Sequence, residues 1–167
     1  MELLILSDSH GRADRITEAL SLQRRAPDGI CFLGDGLRDT EALSFEETPL
    51  YAVRGNCDWG SFFEDADTER LLFFEGHTLL LTHGHPYGVK SGEGALISRA
   101  AALGADIVLF GHTHTPLEQT VPKGSVIDGT ALLRPMYLFN PGSIGYEGFF
   151  GTLLLKGDTV LFSHGRV

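Results

Sequence analysis

The sequence predicts an α/β fold in which two packed β-sheets carry helices on their outer faces. Three observations lead there. Short strands such as IVLF at residues 107–110 are apolar on both faces, as expected for sheets covered on both sides. The first part of the chain alternates such strands with helix-period segments, which is the pattern of βα units. The last third replaces helical periodicity with short apolar runs separated by Gly, Asp-Gly and Pro, the pattern of antiparallel strands and hairpins. A chain of 167 residues, 43% apolar, suits one domain spanning residues 1–167 with a sizeable core.

Taken in order, residues 3–6 (LLIL) read as a buried strand, and Ala13, Ile16, Ala19 and Leu20 then recur at helical spacing until Pro27 and Gly29 stop the pattern. Residues 30–33 and 50–53 form two more strands, each leading into glycine and polar residues. The run ERLLFFEGHTLLLTHGH reads as two strands joined at residues 75–77, with Gly76 supplying the turn. A helix over residues 93–103 presents Ala95, Leu96, Ala102 and Leu103, is closed by Gly104, and feeds the strand at residues 106–110. After it come SVIDGT, MYLFNPGS and GTLLLKGDTVLFSHG, with Gly157-Asp158 as the clearest turn. Residues 123–134 are expected to add a hairpin that either borders the active site or makes a subunit contact.

The net charge of −9, with only 13 Lys and Arg, argues against a general nucleic-acid grip, because phosphate backbones are held mainly by cationic side chains. The N-terminal apolar run is interrupted by Asp8 too early for a signal-peptide core or a membrane span, so a cytoplasmic chain is expected. Two cysteines cannot build a disulfide framework, and Cys31, inside an apolar run, is expected to be a buried reduced thiol.

Chemistry concentrates at the strand exits. Asp8 and His10 stand in SDSHG, Asp35 in LGDG, Asn56 in VRGNCD, His83 and His85 in LTHGH, and His112 and His114 in FGHTH. Five of the seven histidines fall in these stretches, a concentration that points to one shared site. Carboxylate, carboxamide and imidazole together suit borderline divalent ions: manganese, iron, cobalt, nickel or zinc. Seven ligands (Asp8, His10, Asp35, Asn56, His83, His112, His114) are too many for one tetrahedral ion. Two ions sharing a carboxylate would use them all, and paired metals roughly 3.5–4 Å apart are a common device for phosphate-ester hydrolysis.

The ordered motifs DSH, GD, GNCD, THGH and GHTH, followed by NPGS at residues 140–143, resemble those of the calcineurin-like metallophosphoesterases, in particular their small bacterial and archaeal phosphodiesterase branch. The resemblance covers most of the chain. It implies a four-layer α/β sandwich of two mixed sheets flanked by helices, with two divalent metals held by loops at the sheet ends. It also implies one ion on Asp8, His10 and His114, the other on Asn56, His83 and His112, Asp35 bridging, and a hydroxide between them as nucleophile. Manganese is the first expectation for the activating ion. Phosphomonoesterases of the superfamily usually have His where this chain has Cys57, and small members with GNCD are phosphodiesterases. A small phosphodiester is therefore the expected substrate, with phosphomonoester hydrolysis or a protein-interaction scaffold, as in a retromer subunit of similar fold, as the alternatives.

Asp35, Asn56, Cys57, Asp58 and His85 are the residues expected at the reacting centre. Of these, Asp58 is expected to orient its neighbours rather than ligate, and His85 to touch substrate, support the metal ligands or orient its loop. Arg54 reads as a phosphate contact or a solvated cation. GVKSGEG at residues 88–94 lacks the order of a phosphate-binding loop and reads as a flexible lead into the helix. The FF pairs at residues 62–63 and 149–150 read as core, and His77 and His164 as structural. No membrane segment is expected, and the oligomeric state is open, a homo-oligomer included.

Overall fold

The computed structural model describes residues 1–41, 48–60 and 66–167. Its first sheet comprises β1 (Glu2–Leu6), β2 (Gly29–Phe32) and β3 (Leu50–Ala52), which run parallel. The long C-terminal hairpin of β11 (Phe149–Lys156) and β12 (Thr159–Arg166) adds antiparallel to β1, giving the order β12-β11-β1-β2-β3. In the second sheet β5 (His77–Thr82), β6 (Ile107–Leu109) and β10 (Met136–Asn140) are parallel. Antiparallel edge strands β4 (Glu69–Phe74) and β7 (Leu117–Val121) close it, in the order β4-β5-β6-β10-β7. Both sheets are mixed. A separate hairpin pairs β8 (Val126–Ile127) with β9 (Thr130–Ala131).

The period of two explains the layering. Leu3, Ile5, Cys31 and Leu33 point from the first sheet into a shared core, where they meet Leu79, Leu81, Ile107, Leu109 and Phe139 from the second. The alternate residues point outward and also find cover. Leu4, Leu6, Ile30 and Phe32 pack on Ile16 and Ala19 of α1 (Ala13–Ser21), and Leu80, Val108, Phe110 and Leu138 on Leu96 and Ala100 of α3 (Gly94–Leu103). The result is the four-layer sandwich. Each fully buried Leu, Ile or Phe contributes roughly 1.5–3 kcal/mol relative to exposure. Cys31 lies in the sheet-to-sheet core, where burial pushes its thiol up to about 12 and keeps it neutral. Phe150 is core, whereas Phe149 is half-buried beneath the Arg166 guanidinium; residues 62–63 lie outside the described residues.

Two elements depart from the periodicity. The helix α2 (Leu37–Glu41) buries only Leu37 and Thr40, too few positions to display a 3.6-residue repeat, and β7 (LEQTV) is an edge strand with exposed polar residues. GVKSGEG forms a 3₁₀ turn over Val89–Ser91 before α3. The β8–β9 hairpin packs beside α3, and Arg134 just after it donates to Gly76 O and Asp106 Oδ2 at the start of β6. That is the end of β6 opposite to His112, so the hairpin does not border the histidine cluster. Among the described residues no helix is long and apolar enough to cross a membrane.

Candidate metal centre

Six loops leave the carboxyl ends of β1, β2, β3, β5, β6 and β10, and because the strands of each trio are parallel these ends share one edge. The loops carry every candidate ligand named from the motifs: Asp8, His10, Asp35, Asn56, His83, His112 and His114. Asp8 Oδ1 lies 3.1 Å from His114 Nε2, 3.7 Å from His10 Nε2 and 3.8 Å from His83 Nε2. Asp35 Oδ2 lies 3.3 Å from His83 Nε2 and 4.0 Å from His10 Nε2. His112 joins Asp35 and His83 in a group whose potential ligand atoms all lie within 4.8 Å of one another, and Asp8, His10 and His114 form a second such group. Asp35 also groups with His10 and Cys57, so it stands between the two.

Each carboxylate is anchored through one oxygen and offers the other. Asp8 Oδ2 accepts from Ser7 Oγ and from the His112 amide, which leaves Oδ1 turned to the imidazoles. Asp35 Oδ1 accepts from the Cys57 amide at 2.7 Å, which leaves Oδ2 toward His83 and His10. His83 Nδ1 is 2.7 Å from Leu33 O and must donate to it, so in the neutral ring Nε2 presents its lone pair. Among the described residues the buried side-chain atoms without a hydrogen-bond partner are Asp8 Oδ1, Asn56 Oδ1, His83 Nε2 and His85 Nδ1. Orphaned buried polar atoms are costly, and oxygen and imidazole acceptors supplied by three segments are a donor set suited to a divalent cation.

Backbone strain marks the same residues. Asp8, His10, Asp35, His112 and His114 adopt left-handed φ between 46° and 67°, a region that costs a non-glycine residue of order 1 kcal/mol or more. Glycines let the loops approach this closely: a Cβ on Gly55 would stand 2.1 Å from Asp35 Oδ1, and one on Gly111 would stand 1.9 Å from Ser7 Oγ.

The electrostatics follow from burial against opposite charge. Burial raises the Asp35 carboxyl, yet the His83 imidazole and the Cys57 amide and thiol outweigh it and hold Asp35 well below the usual carboxylate range. Burial lowers His83, and the carboxylates of Asp35 and Asp8 more than reverse this. His112 is pushed down to about 4 by burial, His83 and Lys90, so it is neutral at pH 7, the form that ligates metal. His114 is raised by its contact with Asp8. Cys57 is exposed, and burial of part of the group together with Asp35 raises its thiol to about 11.

The remaining motif residues take distinct places. Asn56 Nδ2 donates to Cys57 Sγ, leaving its Oδ1 as one of the orphaned acceptors. Asp58 is buried and accepts from the amides of Asp35, Gly36, Leu37 and Gly55. His85 stands with its ring 5.4 Å from that of His83 and 6.1 Å from that of His112. The Arg54 amide bonds Asp67 O. His77 lies away from the cluster on Asp106, and His164 bonds Asn140 O and stacks on Phe139.

Sequence reasoning missed a supporting set. Asp39 of α2 accepts from Ser9 Oγ and Gly11 N, and Ser143 Oγ donates to Asp8 O, so both grip the loop that carries Asp8 and His10. Asn140 Nδ2 donates to Gly111 O and Thr113 Oγ1, holding the FGHTH loop. Tyr146 stacks on His114 with ring centroids 5.0 Å apart. Only the NPGS motif signalled any of these.

The comparisons agree with this geometry. A family model described as a calcineurin-like phosphoesterase superfamily domain matches residues 1–155. The chain is 35% identical over 144 residues to the probable metallophosphoesterase YsnB of Bacillus subtilis, covering 86% of this chain and 75% of that one. It is 32% identical to a probable metallophosphoesterase of Methanothermobacter thermautotrophicus, covering 83% and 74%. An archaeal phosphodiesterase superposes with TM-score 0.74 at 19% identity over the whole of both chains. Zinc-bound Vps29 of Entamoeba histolytica superposes with TM-score 0.68 at 18% identity over 99% of each. The last two likenesses concern the fold, whereas the family model spans nearly all of the strand exits and the donor atoms gathered there. On that footing the chain belongs to the calcineurin-like phosphoesterase superfamily.

Proposed function

We propose that this protein is a phosphodiesterase that hydrolyses small phosphodiesters with the help of two divalent metal ions. One observation carries the reading: two groups of ligand atoms, built on the buried Asp8, Asp35 and His83 and the half-buried His10, His112 and His114, lie side by side, with the free oxygen of Asp35 between them. Asp8, His10 and His114 would hold one cation and Asn56, His83 and His112 the other, with Asp35 shared. Bound divalent ions supply positive charge that activates water near neutral pH and neutralises phosphate oxygens. The chain's own residues do the rest. Asp8 and Asp35 bring two negative charges to one edge, each held by a loop amide so that its free oxygen cannot swing away. Leu33 O fixes the ring of His83, and Asp58 holds the GDG and GNCD loops in register. Neither Ser nor Cys need act as a nucleophile, because the protein's task is placement and charge stabilisation. Manganese is the proposed activating ion.

The test is direct. Protein stripped by a chelator should lose hydrolysis of bis(p-nitrophenyl) phosphate and regain it with manganese, and elemental analysis should approach two metals per chain. Hydrolysis that persists after stripping would refute the proposal. A fully loaded protein that cleaves no ester would instead favour a scaffold role, which the fold shared with Vps29 keeps in view.

Cys57 supports the diester preference. It is exposed beside Asn56 and Asp35, at the place where a leaving group or a second phosphate charge would be met. A neutral thiol offers no positive charge to a dianionic monoester, whereas an imidazolium does. Cys57→His is expected to shift the rate ratio of p-nitrophenyl phosphate to bis(p-nitrophenyl) phosphate toward the monoester by roughly tenfold or more. An unchanged ratio would remove Cys57 from the argument.

A further inference from the structure

Beside the candidate centre opens a cavity of about 290 Å³, whose walls include His10, Asp35, Arg38, Asp39, Cys57 and Trp59. Its carboxylates are already engaged. Asp39 accepts from Ser9 and Gly11, Asp58 from four backbone amides, and Asp35 from Cys57 while its other oxygen faces His83. Arg38 is exposed and, among the described residues, its guanidinium has neither a hydrogen bond nor an ion pair. In a chain of net charge −9, a guanidinium without an ion-pair partner thus lines the cavity that adjoins the centre, beside carboxylates whose oxygens are largely taken up by the chain's own donors.

Trp59 forms another part of the wall and is 80% exposed. Single exposed apolar side chains need no explanation in themselves. This one follows Asp58, the most heavily bonded carboxylate of the site, and its own amide bonds Cys57 O at 3.1 Å, so its backbone is tied to the GNCD loop. It adds little to the core while its side chain forms part of the cavity wall. Aromatic side chains stack on planar rings with little regard to ring identity, and Arg forks onto phosphate oxygens.

We infer that this cavity is a recognition subsite for one arm of the diester, and that the arm it takes is nucleotidyl: a planar base on Trp59 and a second phosphate on Arg38. The inference deepens the phosphodiesterase reading and rests on it. The volume of about 290 Å³ lies just below the roughly 300–1,000 Å³ typical of small-ligand sites, which suits one arm of a small diester rather than a polymer.

Trp59 is the only tryptophan of the chain, so the subsite reports on itself. With a saturating diamagnetic divalent metal, thymidine 3′,5′-bisphosphate should change the indole emission saturably, whereas inorganic phosphate should not. Arg38→Ala should raise the bisphosphate Kd about tenfold or more. In kinetics, p-nitrophenyl thymidine 5′-phosphate and methyl p-nitrophenyl phosphate share a leaving group and differ in the other arm. Trp59→Ala should lower kcat/KM about tenfold for the first and less than about twofold for the second, with Trp59→Phe restoring most of the loss. Emission unmoved by the bisphosphate, or equal losses on both esters, would overturn the subsite. Wild-type protein that cleaves neither ester with any metal would overturn the phosphodiesterase reading instead, and the emission titration would still decide the subsite.

Discussion

Asp35→Asn is expected to cut metal-dependent phosphodiester hydrolysis by more than about a hundredfold and to lower bound metal to one ion per chain or fewer. The substitution keeps nearly every atom in place. Its amide oxygen can still accept from the Cys57 amide, the bond that positions residues 56–57. What changes is the second oxygen, 3.3 Å from His83 Nε2 and 4.0 Å from His10 Nε2, which becomes an NH₂ group that donates and carries no charge. Altering residues that merely support metal ligands commonly costs 10–100-fold in affinity or activity, so loss of a shared ligand should exceed roughly a hundredfold. Elemental analysis and kcat/KM on bis(p-nitrophenyl) phosphate decide the matter, with circular dichroism confirming an unchanged fold. Wild-type metal content in the variant would show that Asp35 does not bridge.

Asp58→Ala should instead unfold the protein more easily, lowering stability by about 3–5 kcal/mol. The Asp58 carboxylate accepts at 2.8–2.9 Å from the amides of Asp35, Gly36, Leu37 and Gly55, and is only 8% exposed. Alanine would strand these donors, three of them in buried bonds, and each unsatisfied buried donor costs roughly 1–3 kcal/mol before relaxation and water entry. Asp58→Asn should lie between, because a carboxamide has one accepting oxygen for bonds now split between two. Denaturant unfolding of the stripped protein measures the effect without contribution from bound metal. A loss below about 1 kcal/mol would show that the loops hold their shape without this carboxylate.

These two aspartates show how far the sequence can be read. Both stand in glycine-rich strand exits, and the motifs already separate them as a shared ligand and an orienting residue without showing which bonds give each its role. Their opposite roles come from orientation: Asp35 turns one oxygen to the imidazoles, while Asp58 turns both to backbone amides of its own and the neighbouring loop. No periodicity encodes that difference. The same holds for Asp39 and Ser143, whose contacts lie 30 and 135 residues away along the chain.

Trp59 and Arg38 are further cases. A lone tryptophan and an arginine in a five-residue helix carry no pattern, and they acquire meaning only through a cavity shared with His10 and Asp35. The β8–β9 hairpin is expected from a segment longer than the compact family plan, whereas its distance from the site follows from where Arg134 is bonded.

Local chemistry in the chain was enough to predict the α/β class, most of the strands in chain order and the residues that gather at the strand exits. Alternating burial and the glycines at strand ends are short-range properties, legible within a few residues. Which oxygen of a carboxylate is free, which imidazole nitrogen is exposed to a ligand and which loops meet were settled by tertiary packing. Those outcomes depend on hydrogen bonds between segments that only parallel strand pairing brings to a common edge.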